Sequence, residues 1–226
     1  PKVNGGGIAA LQAAAIEVEV GEGAAQAIEI NRGFLSRIRR LRPWVTLKTA
    51  TSADGFIAHE DGTSKWITGE AARENGHHLR SRNDAILTGS GTYLYDAPQL
   101  TVRIAGLEDT SPSRHVLDRR GRVQSSEFRV RTEETLNELI HNMAREGVNY
   151  LMVEAGAALS KSFLEAGLID ELYWYRAPKE LGNGIAAFHG AWDKMAGHPP
   201  ITHQQPLADD TLTVYRFTNP PSLIGD

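Results

Sequence analysis

The chain has no cysteine. That absence removes disulfides, thiolate nucleophiles and every cysteine-based zinc centre, and it fits a reducing compartment. Long apolar runs are missing as well. No stretch has the length to span a bilayer, and the start PKVNGGGIAALQ lacks the charged and apolar regions of a signal peptide. The expectation is a cytoplasmic protein with no membrane partner. Strong net charge is also lacking: at −4 over 226 residues there is no general attraction for nucleic-acid phosphates, so any anion site must be local. No serine sits in a GxSxG elbow, and the glycines Gly5 to Gly7 are not followed by the Lys-Ser/Thr pair of a Walker loop. His77 and His78 are adjacent and point to different sides of a helix, so they cannot chelate one metal together. All eight histidines are expected to be ordinary, and no metal site is expected.

What is present is an alternation of strands and helices. The first forty residues stand apart: a small-residue helix over Ile8 to Ala15, an alternating strand IEVEVG from Ile16 to Gly21, and a helix from Ala24 to Ile38 running into RIRRLRP. Pro43 marks a boundary, because the residue before a proline resists helical geometry. Residues 1–41 are expected to be the tail of a preceding domain and its linker, and residues 42–226 one domain. From there, WVTLKTA reads as a strand, Asp54-Gly55 as a turn, and Thr68 as the cap of a helix running to about Arg82. DAILTG and RHVLD read as strands, the first entering SGTYLYD, a glycine turn and short helix. Thr132 is expected to cap the helix EETLNELIHNMAREG, with Leu136, Leu139, Ile140 and Met143 on one face and Gly147 as its stop. Then come strand, glycine turn, helix to Gly167 and strand in NYLMVEAGAALSKSFLEAGLIDELYWYRAP, and a last strand in TLTVYRF. The class is α/β, a mostly parallel sheet flanked by helices.

The chemistry gathers at two turns. In VEAGAALSKSF an apolar strand meets Gly156 and a helix opens, offering unpaired backbone N–H groups and a helix dipole to a phosphate. Alone, such a turn is equally plain architecture. Gly89, Ser90, Gly91 and Thr92 form a second turn of the same kind. Both lie at carboxyl ends of parallel strands, the edge where open α/β sheets bind ligands. Lys48 interrupts a strand and Glu154 ends one; the carboxylate is either a substrate or proton-handling group or a solvated strand end. Arg80, Arg103 and Ser64 have the chemistry to hold a second anion, although scattered arginines are ordinarily surface residues.

The blocks RPWVTLKTATSADG, SKWITG, LRSRNDAILTGSGTYLYDAPQLTVR and MVEAGAAL…EAGLIDELYWYRAPKELG, in that order, resemble the reductase domain of the bifunctional riboflavin-biosynthesis deaminase/reductase. PKVNGGGIAALQAAAIEVEVG resembles the tail that follows the deaminase zinc motif in that family. The resemblance implies a dihydrofolate-reductase-like fold, an NADPH cofactor, a homodimer, and reduction of the phosphorylated pyrimidine 5-amino-6-(5-phosphoribosylamino)uracil to its ribitylamino counterpart. By motif, the cofactor would contact Ala50, Trp66, Thr92, Asp96 and the run Gly156, Ala157, Ala158, Leu159, Ser160, Lys161, Ser162. Substrate would contact Ser64, Arg80, Leu100, Arg103 and Glu154, with Lys48 and Glu154 as the catalytic pair. Two departures stand beside Asp96: Ala97 where a second acidic residue is frequent, and Tyr95 where a small one is. A dihydrofolate or pterin reductase of the same fold, or a nucleotide-binding module without turnover, is the alternative. The first would need no anchor for a sugar phosphate.

Overall fold

The computed structural model describes residues 5–64 and 67–221. Its centre is an eight-stranded sheet in the order β5-β4-β3-β6-β1-β7-β10-β9. Here β1 is Trp44–Thr51, β3 Ala85–Gly89, β4 Ser113–Leu117, β5 Arg129–Arg131, β6 Tyr150–Val153, β7 Glu171–Arg176, β9 Ile201–Leu207 and β10 Asp210–Arg216. The strands from β5 through β7 run parallel, and β10 and β9 close the sheet antiparallel. The short strands β2 (Phe56–Ala58) and β8 (Ile185–Ala186) form a separate two-stranded flap.

Parallel strands covered on both faces must be apolar throughout, and YLMV of β6 is. Successive side chains go to opposite layers: Leu87, Leu151 and Val153 join one core with α6 (Leu136–Arg145) and α7 (Ala157–Glu165). Ile86 and Met152 join another with Leu79 of α4 (Glu70–Arg80). On α6 the expected face of Leu136, Leu139, Ile140 and Met143 is buried, and Gly147 ends the segment at φ 96°.

Several local expectations need correction. The segment 16–21 forms no strand and joins neither sheet. The helix expected over Ala24 to Ile38 is two, α2 (Ala24–Ile30) and α3 (Arg32–Arg40), broken at Asn31; α1 is Gly6–Ala13 and buries no residue. Thr68 caps nothing. Gly69 is the cap of α4, and its N–H is taken by Asp210 Oδ2 at 2.7 Å. The α6 cap is Thr135, whose hydroxyl accepts from Glu138 N at 3.1 Å, not Thr132.

At the amino ends of the strands α3 is pressed onto the sheet. A Cβ on Gly33 would come within 2.5 Å of the Tyr150 ring, so only glycine permits that approach. Asp170 accepts from Val45 N, Arg40, Arg42 and Thr218, and Glu171 from Trp44 Nε1, Arg32 and Arg216.

Candidate active site

The opposite edge, at the strand carboxyl ends, holds a cavity of about 970 Å³, a volume at the upper end for ligand sites. Its walls come from β1, the β2–β8 flap, α4, both glycine turns, the loop after β4 and the loop before Arg103. Among the described residues no helix is long and apolar enough to cross a membrane, and no cluster of His, Asp and Glu is arranged to hold a metal.

Glu154 follows the last residue of β6, where the strand delivers it to this edge. Arg80 meets it in a fork: Nε to Oε2 at 3.0 Å and Nη2 to Oε1 at 2.9 Å. Lys48 Nζ donates to Oε1 at 3.2 Å and lies 5.7 Å from the Tyr175 ring centroid. Burial alone would raise the Glu154 carboxyl. The two cations outweigh it and bring its pKa to about 2, so the group is ionised at every physiological pH. Lys48 and Glu154 are therefore in contact, and Arg80 joins them as a third member of the cluster.

The two glycine turns touch. Gly156 N donates to Thr92 Oγ1 at 3.0 Å, and a Cβ on Gly156 would stand 3.2 Å from that oxygen. The Gly156 amide is thus committed within the protein. The first bond of α7 runs from Ser160 N to Gly156 O, which leaves the amides of Ala157, Ala158 and Leu159 ahead of the helical ladder at the cavity wall. Ser162 also lines the cavity. Ser160 and Lys161 do not: the Ser160 hydroxyl turns inward to Ala155 O, and Lys161 faces Glu165 at 3.6 Å.

Ala50, Ser64, Asp96, Leu100 and Arg103 all reach the same cavity. Trp66 lies outside the described residues. Of the two departures, Ala97 takes a left-handed φ of 43°, and the Tyr95 hydroxyl donates to Asp61 O at 2.8 Å, tying α5 (Ser90–Asp96) to the loop that carries Ser64. Arg103 is exposed, its guanidinium on Gln99 Oε1 at 2.9 Å.

Three cavity features escaped the sequence. Arg119, Arg120 and Arg122 line it on one loop, which Asp118 holds by accepting from the backbone of Arg122 and Val123. Arg122 Nη2 also reaches Ser90 Oγ at 2.7 Å. The signal was available: RRGR directly follows the strand RHVLD, at the ligand-bearing edge. The flap residues Ile57 and Ile185 are the second feature, and they form too short a pairing to read locally. His77 is the third; it faces the cavity and is not an ordinary surface histidine.

Comparison with known proteins gives a consistent set. The model of the RibD C-terminal domain matches residues 43–195. The riboflavin biosynthesis protein RibD of Escherichia coli is 35% identical over 91% of this chain and 68% of its own length. That of Buchnera aphidicola is 34% identical over 81% of this chain, which spans 61% of the Buchnera protein. Among solved structures, Acinetobacter baumannii RibD superposes at TM-score 0.85 with 31% identity, over 96% of this chain and 69% of that one. A Thermotoga maritima structure described as a diaminohydroxyphosphoribosylaminopyrimidine deaminase/5-amino-6-(5-phosphoribosylamino)uracil reductase gives 0.84 with 25% identity, over 94% and 67%. Enterococcus faecalis dihydrofolate reductase, at TM-score 0.53 and 14% identity over 76% of this chain and 96% of that one, shares the fold.

Proposed function

The chain belongs to the RibD C-terminal domain family, and from that premise we propose that the cavity is the active site of an NADPH-dependent reductase of 5-amino-6-(5-phosphoribosylamino)uracil. The observation that carries this is the meeting, in one cavity, of the Lys48–Glu154–Arg80 cluster with two joined glycine turns.

The residues fit a dinucleotide. Gly156 and the small side chains of Ala157 and Ala158 keep the wall low at the start of α7, where backbone amides face the cavity. Arg119, Arg120 and Arg122 put positive charge at the end of β4, which favours the phosphorylated nicotinamide cofactor over the unphosphorylated one. When bound, the cofactor supplies a hydride.

The protein's own groups do the rest. The reacting sugar carbon becomes electrophilic only as the open-chain imine, so the site must hold that form, exclude water and give a proton to the nitrogen. Ionised Glu154 is a poor acid near neutrality. Its carboxylate instead holds the Lys48 ammonium and the Arg80 fork in place, which leaves Lys48 as the proton-bearing member of the pair. Arg103 and Ser64 stand on the cavity wall as the anchors for the substrate phosphate, with Arg80 already engaged by Glu154. A homodimer belongs to the same proposal. It is supported by β9, which among the described residues pairs on one side only and is exposed over most of its length; a single-chain mass in sedimentation would contradict it.

The test of the reaction is NADPH oxidation that depends on the phosphoribosylamino substrate. The expected preference over NADH should fall when Arg119 and Arg120 are both changed to Ser. Equal use of the two cofactors by the unaltered protein would contradict the role given to the loop.

A further inference from the structure

One ring touches both halves of the proposed substrate site. His77 lies on the cavity face of α4, three positions before Arg80. Its Nδ1 accepts the backbone N–H of Arg103 at 3.2 Å and lies 3.5 Å from Arg80 Nη1 and 3.1 Å from Thr101 O. Arg80 Nη1 itself donates to Thr101 O at 3.1 Å, so that carbonyl is served without the imidazole. With two donors converging on Nδ1, the tautomer that satisfies the geometry carries its proton on Nε2. Burial first, then the charges of Arg80 and Arg103, lower the ring's pKa from its ordinary value, against the opposing pull of the Thr101 carbonyl and of Glu154.

The segment that His77 grips does not sit in relaxed backbone. Ala97 and Leu100 both have left-handed φ, 43° and 51°, without being glycine. Such residues persist where surrounding contacts hold them. The main chain is held by Ala97 N on Tyr93 O, Arg114 Nη1 on Gln99 O at 3.0 Å, Arg80 on Thr101 O, Val102 N on Ser111 Oγ at 2.9 Å and, at its far end, Arg103 N on His77. The Arg103 side chain is anchored, among the described residues, only to Gln99 of its own segment. Its guanidinium therefore goes where its main chain is pinned, and His77 pins that residue.

We propose that His77 is a positioning residue that sets the distance between the Arg103 guanidinium and the Glu154–Arg80 pair, and thereby the length of substrate that spans reaction centre and phosphate. This rests on the proposed reductase site. His77 touches Arg103 through the backbone and makes no claim on the reacting atoms. An Asn at this position places an amide oxygen near Nδ1 and keeps the acceptor, whereas Leu fills the space without it.

Two measurements on the full chain test it. With saturating NADPH, His77→Leu should raise KM for the phosphorylated substrate about 10-fold, the scale of one lost hydrogen bond and a displaced anchor. Its kcat and NADPH affinity should stay near those of the unaltered protein, and the dephosphorylated ribosylamino analogue should show no such rise. His77→Asn should recover most of the loss. A normal KM in His77→Leu, an equal defect on both substrates, or no recovery with Asn would overturn the proposal. Hydrogen exchange over residues 97–103, without any ligand, gives the second reading. Exchange should quicken in His77→Leu and return toward normal in His77→Asn, and unchanged exchange in His77→Leu would overturn the positioning role even if the protein had a different substrate. Absence of turnover in the unaltered protein, with the exchange pattern as expected, would instead count against the reductase reading alone.

Discussion

The two ends of the parallel strands carry nearly the same ingredients, acidic residues between cations, and use them differently. At the amino edge Asp170 is fully buried and receives four donors: Val45 N at 2.8 Å, Arg40 at 2.6 Å, Arg42 at 2.5 Å and Thr218 at 2.8 Å. No part of the carboxylate is offered to a ligand. At the carboxyl edge Glu154 is held by Lys48 and Arg80 on the wall of an open cavity, with its side chain 19% exposed. An ion pair by itself marks neither stability nor function. The space left beside it decides, and in a parallel sheet that space opens where the strands end.

The comparison is most severely tested at the closed edge. Asp170→Ala would leave Arg40 and Arg42, both partly buried, without their partner, and removing one member of a buried pair costs up to about 3–5 kcal/mol. Thermal denaturation should show that loss, while NADPH affinity of the folded fraction stays unchanged. A thermal midpoint equal to that of the unaltered chain would mean the clamp holds nothing.

Acid separates the sheet interior from its open edge. His115 on β4 is fully buried with Nδ1 unpartnered, and burial, then Arg131 and Arg129, lower its pKa from 6.5 to about 4. The folded protein therefore resists protonating it. Stability is complete above the unfolded value of 6.5 and is lost as pH falls from there through about 4, by roughly 3 kcal/mol in all. Glu154 acts lower. Its carboxylate contribution is present above 4.5 and fades as pH falls toward about 2. Denaturant titrations of His115→Gln should accordingly lose the upper part of the acid slope and keep the lower part; an unaltered slope between pH 6.5 and 4.5 would assign it elsewhere.

Much of this architecture was legible locally, and the misses have physical causes. Glu154 and Gly156 could be found because an apolar strand, an acid and a glycine turn follow one another within a single motif. Asp170 and Glu171 sit in an equally plain segment, but the partners that define them, Arg40 and Arg32, lie 130 and 139 residues away. The α6 cap was misplaced although Thr135 and Glu138 form the T-x-x-E pattern of a capping box, which Thr132 does not. Strand β9, ITHQQPL, is polar, exposed and contains a proline, so only its pairing with β10 reveals it. His77 was passed over because its role comes from a backbone N–H 26 residues later.

Within the open edge, the reaction centre and the phosphate anchor should also come apart. Arg103→Ala is expected to lower kcat/KM by roughly 10- to 100-fold, since a charge-assisted hydrogen bond contributes about 1.5–3 kcal/mol, and to spare NADPH binding. Arg103→Lys should recover part of it, keeping charge without the planar fork. The alanine defect should shrink for the analogue lacking the phosphate. An equal defect on both substrates would remove Arg103 from the phosphate.

The difference between the edges is tested most directly by Glu154→Gln, assayed for substrate-dependent NADPH oxidation and for thermal midpoint on the same sample. The expected result is turnover reduced by a hundredfold or more, about 2.7 kcal/mol in the barrier, with the midpoint falling by less than in Asp170→Ala, because the side chain borders open cavity and water can reach the freed cations. Turnover retained with a fallen midpoint would make Glu154 a second Asp170, a structural carboxylate, and would contradict the assignment of this edge as the active site.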